Sequence, residues 1–123
     1  MISSRIQAVR HALRGLHETL LNEPHGRIEV VFAVAALGMG VWLEIEAWEW
    51  IAVAFSITLV IAAECLNTSL EHLADKVTSN HVELIGKAKD AAAAGVLVSV
   101  VGAAATGCLI FLPRLWALID RQV

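Results

Sequence analysis

Between Asp90 and Arg114 the chain runs for 23 residues, Ala91 to Pro113, without one charged side chain. A helix of that length reaches about 35 Å, enough to cross a hydrocarbon core of roughly 30 Å. Two shorter uncharged runs precede it, Val30–Leu43 and Trp50–Ala63, each of 14 residues. Alone, each reaches only about 21 Å, so both are expected to extend through flanking polar residues. Composition agrees: 58% of residues are hydrophobic and 17% charged, against roughly 45–50% and about 25% in soluble chains. A soluble domain of 123 residues has too little interior to hide so much apolar side chain. The expected fold is an all-α membrane protein of one domain, residues 1–123, with membrane helices at about 28–45, 48–75 and 88–113.

The first 22 residues are not read as a signal peptide, because Arg5, Arg10 and Arg14 interrupt any apolar core. Ile2, Ile6, Val9, Leu13, Leu16 and Leu20 recur at spacings of 3 and 4, one face of a helix. A cationic amphipathic helix of this kind is expected to lie in the headgroup plane. Asn22-Glu23-Pro24-His25-Gly26 reads as a break after it. Pro113 and Arg114 are expected to end the last span. Trp42, Trp48 and Trp50 surround an acidic turn, Glu44 to Glu49, and mark a membrane interface. Lys and Arg number seven on the side holding the amino terminus and the Lys76–Lys89 loop, against two (Arg114 and Arg121) on the other. The amino terminus is therefore expected in the cytoplasm.

Net charge is −3, which argues against nucleic acid as a partner. Cys65 and Cys108 stand singly in apolar stretches and suggest neither a disulfide nor a zinc site. No phosphate-binding loop of the GxxxxGK[ST] type occurs; the glycines Gly102 and Gly107 have its spacing but lack its lysine.

The second span continues into Glu64-Cys65-Leu66-Asn67-Thr68-Ser69-Leu70-Glu71-His72-Leu73-Ala74-Asp75. At about 100° per residue, Asn67, Thr68, Glu71 and Asp75 all fall within about 60° of Glu64. Charged groups at membrane depth face a bundle interior or a wet cavity and mark function by default. The bland alternative pairs Glu64 with an arginine and treats Glu71 onward as a solvated helix end. Three polar groups on one face with no basic residue between them point instead to a cation. Gly86-Lys87-Ala88-Lys89-Asp90, before the third span, supplies lysines for phosphate, although by composition alone ordinary interfacial anchoring is the better explanation. Glu23 supplies a further carboxylate. A metal, a phosphate-neutralising cation and a base are the parts of phosphoryl transfer.

Glu64-x-x-Asn67-Thr68-x-x-Glu71-x-x-x-Asp75, followed by Lys89-Asp90-Ala91, resembles the prokaryotic diacylglycerol kinase family of small membrane lipid kinases. His11-Ala12-x-Arg14-Gly15, Asn22-Glu23 and Phe111-Leu112-Pro113-Arg114-Leu115 extend the likeness over nearly the whole chain. The resemblance implies a surface helix plus three membrane helices, a homotrimer with composite active sites, and a place in the bacterial inner membrane. It implies transfer of the γ-phosphate of MgATP to the hydroxyl of a membrane lipid. Carried over, Glu64 is the general base, and Glu23 and Glu71 hold Mg²⁺. Asn67, Lys89 and Asp90 contact the nucleotide, with Arg14 and Gly86 beside them; Glu29 matches an acidic position without an assigned role. The chain departs from the family at Ser4, where an arginine is common, at Val82, with His81 one place early, and at Ala93. The Ala-Ala-Ala run, the Phe-Leu-Pro-Arg-Leu tail and His11-Ala12-x-Arg14-Gly15 look more like the undecaprenol kinases of the group than its diacylglycerol branch. Outside the resemblance, a non-catalytic membrane protein, such as a cation-coupled transporter subunit using the Glu64–Glu71 stripe, has the same carboxylates.

Overall fold

A computed structural model of the chain describes residues 2–120 other than 79 and 81, so the readings on His81 and Arg121 lie outside the described residues. Four α-helices follow one another: α1 (Ile2–His17), α2 (Pro24–Trp42), α3 (Ala47–Val77) and α4 (Glu83–Asp120). No strand occurs among the described residues. The last three helices are each long and apolar enough to cross a membrane. Their outer faces carry exposed Phe55, Leu59, Leu97 and Leu109. Such faces are untenable in water and ordinary against lipid tails.

The expected five-residue break after the first helix is narrower in the structure. A π-helical turn, Glu18–Asn22, prolongs α1, and Glu23 is the extended residue, at φ −84° and ψ 139°. Pro24 then starts α2 at its first position, where its fixed φ suits a helix and its missing N–H is not needed. Gly26 does not break the chain. A Cβ there would stand 2.0 Å from the Thr19 carbonyl oxygen, so glycine is what lets α2 press against the π turn. Arg27 Nε fastens the corner by donating to the Leu21 carbonyl at 2.6 Å. The helix that carries the first apolar run accordingly extends from Pro24 to Trp42.

At the other end of α2 the chain reverses within Leu43–Glu46. Glu44 takes the left-handed conformation, φ 49°, and Ile45 N–H donates to the Gly40 carbonyl at 3.1 Å. Glu46 and Glu49 form a capping box that opens α3, the Glu46 N–H donating to Glu49 Oε2 at 2.7 Å. Reciprocal bonds of this kind satisfy helix-end donors with no other partner. The small core gathers here: Ile45, Val53, Ile110 and Phe111, with Met39 and Trp50 against them.

Pro113 does not end the last helix. α4 continues through it to Asp120, correcting the expectation that Pro113 and Arg114 close the helix. A proline deprives a helix of one N–H, and membrane helices tolerate this when nearby groups satisfy the backbone. Beside the proline, Arg114 Nη1 donates to the Ile110 carbonyl at 3.2 Å and to Glu49 Oε1 at 2.6 Å, tying this part of α4 to the start of α3. Helices α3 and α4 form the main packed pair, with α2 attached more loosely to both. Pinned at its turn but loosely packed beyond it, α2 leaves a cleft between the three helices.

Candidate active site at the end of an apolar cleft

The cleft has a volume of about 810 Å³ and is walled by α2, α3 and α4. From Phe111 and Leu115 at one end it runs past Val60, Val96 and Ala103 to His25, Glu29, Glu64, Asn67 and Glu71 at the other. Glu64, Asn67 and Glu71 of the stripe inferred from spacing therefore form the polar end of an apolar cleft. Glu64 is only 3% exposed, and Asn67 and Thr68 are buried beside it. Measured along α3 from Trp48, Glu64 lies about 24 Å away and Glu71 about 35 Å, on either side of a 30 Å hydrocarbon thickness.

Asn67 Nδ2 donates to Glu71 Oε1 at 3.3 Å. Asn67 Oδ1 and Glu29 Oε2 are both buried without a hydrogen-bond partner. An orphaned buried acceptor is costly and calls for a ligand, a cation or a donor. Glu64 takes part in none of the ion pairs among the described residues; the buried carboxylate that meets an arginine is Glu49, with Arg114. The bland reading offered for Glu64 thus holds for Glu49 instead. His25, Glu71, Glu23 and Glu29 all lie within electrostatic range of Glu64.

The other expected site residues are spread around this end of the bundle. Glu23, at the bend before α2, has its Oε1 3.3 Å from His72 Nε2 on α3. Lys89 Nζ donates to Asp75 Oδ1 at 2.9 Å, so its partner is the last acid of the α3 stripe and not its neighbour Asp90. Adjacent residues on a helix point about 100° apart and do not face each other. Asp90 and Arg14 are exposed. Gly86 sits in the first turn of α4, its N–H on the Val82 carbonyl at 3.0 Å. Of the expected site residues, Glu64, Asn67 and Glu71 line the cleft, whereas Glu23, Lys89, Asp90, Gly86 and Arg14 do not.

Sequence reasoning passed over His25, reading it as part of the break, and left Glu29 without a role. Their signal was present: Pro24 at a first helical position followed by a His and an acid four residues apart, hence on one face. Glu49, expected within the acidic turn, has a second signal in Glu46-x-x-Glu49, the spacing of a capping box.

Among the described residues no three His, Cys, Asp or Glu side chains converge to hold a metal unaided. Magnesium is commonly held by one or two carboxylates completed by substrate phosphates and water. Glu71 and the orphaned Asn67 Oδ1 supply oxygen donors that fit that mode of binding.

The sequence pattern of a family described as prokaryotic diacylglycerol kinase matches residues 10–111. An undecaprenol kinase of Bacillus subtilis (strain 168) is 39% identical over 105 residues, covering 85% of each chain. A diacylglycerol kinase of Escherichia coli (strain K12) is 32% identical over 105 residues, 85% of this chain and 86% of that one. A diacylglycerol kinase of Haemophilus influenzae is 32% identical over 108 residues, 86% and 92%.

Proposed function

The chain belongs to the prokaryotic diacylglycerol kinase family and is a lipid kinase, and on that premise we propose that it transfers the γ-phosphate of ATP, complexed with Mg²⁺, to the hydroxyl of undecaprenol or diacylglycerol, giving undecaprenyl phosphate or phosphatidic acid. Membership of a kinase family sets aside the transporter alternative. The observation that carries the reading is the buried Glu64 carboxylate where an apolar cleft meets a polar end. A lipid acceptor needs both: hydrocarbon walls for its chain, and its hydroxyl at the depth where ATP can approach from water. The higher identity to an undecaprenol kinase than to the diacylglycerol kinases favours the polyprenol as acceptor.

In this reading Glu64 accepts the hydroxyl proton as that oxygen attacks the γ-phosphorus. The bond from the γ-phosphorus to the β,γ-bridging oxygen breaks and ADP departs, with no covalent enzyme intermediate. Glu71 and Glu23 hold the metal, which when bound neutralises charge on the phosphate oxygens. Asn67, already bonded to Glu71, has a free amide oxygen on the same side. Lys89 and Asp90 face the nucleotide, with Arg14 and Gly86 close by. Glu23, Lys89, Asp90 and Arg14 stand off the cleft wall, and in this reading the protein is a homotrimer whose sites are completed by neighbouring subunits. The helix α1 lies on the membrane surface, and the protein sits in the bacterial cytoplasmic membrane with its amino terminus inside.

The test is phosphate transfer from γ-labelled ATP by purified protein in detergent, with each lipid offered separately, with and without magnesium. Magnesium-dependent label on undecaprenol is the expected result, and Glu64→Gln abolishes it with the fold retained. Label chiefly on diacylglycerol refutes the acceptor assignment. Near-normal turnover by Glu64→Gln refutes the base.

A further inference from the structure

The contact between Lys89 and Asp75 joins two elements that the chain holds apart. Asp75 ends the α3 stripe and Lys89 lies in the second turn of α4, across the connection between the helices. Their atoms meet at 2.9 Å, with side chains 36% exposed for Lys89 and 70% for Asp75. An ion pair this wet contributes about 0–1 kcal/mol to folding, so stability alone is a weak reason for it. Its geometric effect is larger. A lysine carries its charge on a flexible four-carbon stem with three rotatable N–H donors. One of them is engaged by Asp75 Oδ1, leaving two for another acceptor. The ammonium is held on the face where Glu71 also lies within electrostatic range.

We propose that Asp75 is a positioning residue for Lys89, fixing the ammonium beside the Glu64–Glu71 face so that two N–H donors meet the polyphosphate of ATP as it binds. The inference rests on the nucleotide role given to Lys89 in the proposed function. It adds that the stripe divides its work. The acids nearer the cleft serve proton and metal, and the one furthest toward water serves the phosphate-binding cation. Asp75 touches no reacting atom, so its influence passes through Lys89.

Asp75→Asn, Asp75→Glu, Lys89→Ala and the double variant Asp75→Asn/Lys89→Ala test this, with KM measured separately for MgATP and for the lipid, and melting followed in the same detergent. Asp75→Asn is expected to raise KM for MgATP by roughly threefold to fivefold, the size an exposed pair supports. KM for the lipid and the melting midpoint stay unchanged. Asp75→Glu, which keeps the carboxylate, recovers most of the loss. Lys89→Ala raises KM for MgATP by about tenfold or more, as loss of a charge-assisted bond does, and adding Asp75→Asn to it changes nothing further. If Lys89→Ala raises KM for MgATP and Asp75→Asn does not, the positioning role is overturned and the proposed role of Lys89 stands. If Lys89→Ala leaves KM for MgATP unchanged, both are overturned. Equal effects of Asp75→Asn with and without Lys89 show Asp75 acting by itself, and a lowered melting midpoint with both KM values shifted shows a structural tie; either overturns the proposal.

Discussion

Gly38 and Gly40 lie two residues apart on α2, and the structure assigns opposite outcomes to the same substitution at each. A Cβ at Gly38 meets nothing within 4 Å. A Cβ at Gly40 would stand 2.7 Å from Trp50 Cη2, 3.0 Å from Trp50 Cζ2 and 3.1 Å from Ile45 Cδ1. Carbon atoms in good contact sit about 3.5–4.0 Å apart, so the methyl would be pinched from two sides. Either the indole swings away or α2 withdraws from the turn that anchors it. Overpacking of this kind costs about 1–3 kcal/mol, while alanine recovers about 1 kcal/mol of helix propensity over glycine. Gly38→Ala collects only the gain. Gly40→Ala is thus expected to be less stable than Gly38→Ala by about 1–3 kcal/mol, roughly 5- to 150-fold in the folding equilibrium. The assay is reversible unfolding in mixed micelles with increasing denaturing detergent. In a Trp50→Leu background the obstructing ring is gone and the difference between the two variants shrinks by more than half. A Gly40→Ala protein as stable as Gly38→Ala, or a difference untouched by Trp50→Leu, would refute the packing described for the α2–α3 turn.

Glu64→Asp draws the carboxylate back by about one methylene, roughly 1.5 Å, and a misplacement near 1 Å costs about 10²-fold; kcat is expected to fall by about that factor with KM for MgATP little changed, in the labelled-ATP assay. Asn67→Leu removes the bond to Glu71 and the orphaned amide oxygen together, so turnover drops by about tenfold or more while the micelle-unfolding curve holds or improves. Arg114→Met leaves Glu49 buried without its cation; the melting midpoint falls by several degrees, and Glu49→Gln in the same chain restores part of it, because a neutral amide tolerates that site better than an unpaired charge.

The membrane helices and the carboxylate stripe were legible in the sequence for the same reason: both are local. Uncharged runs report how much of one helix can sit in hydrocarbon, and residues 3, 4, 7 and 11 positions beyond Glu64 share its face in any α-helix. The chemistry of those side chains, with Lys89 and Glu23 nearby, already pointed to phosphoryl transfer. Helix ends were read less well. Pro113 looks like a terminus, yet α4 runs through it to Asp120, and Gly26 looks like a breaker until the Thr19 carbonyl is seen against it.

Partnership was decided by tertiary structure alone. Which buried acid meets an arginine, Glu64 or Glu49, depends on contact between residues 65 positions apart. Whether Lys89 pairs with Asp90 or Asp75 depends on where α4 lies alongside α3. The cleft arises because α2 is fastened at its turn and packs loosely beyond it. Periodicity places a residue on a face of its own helix; the crossing of one helix over another determines what that face meets.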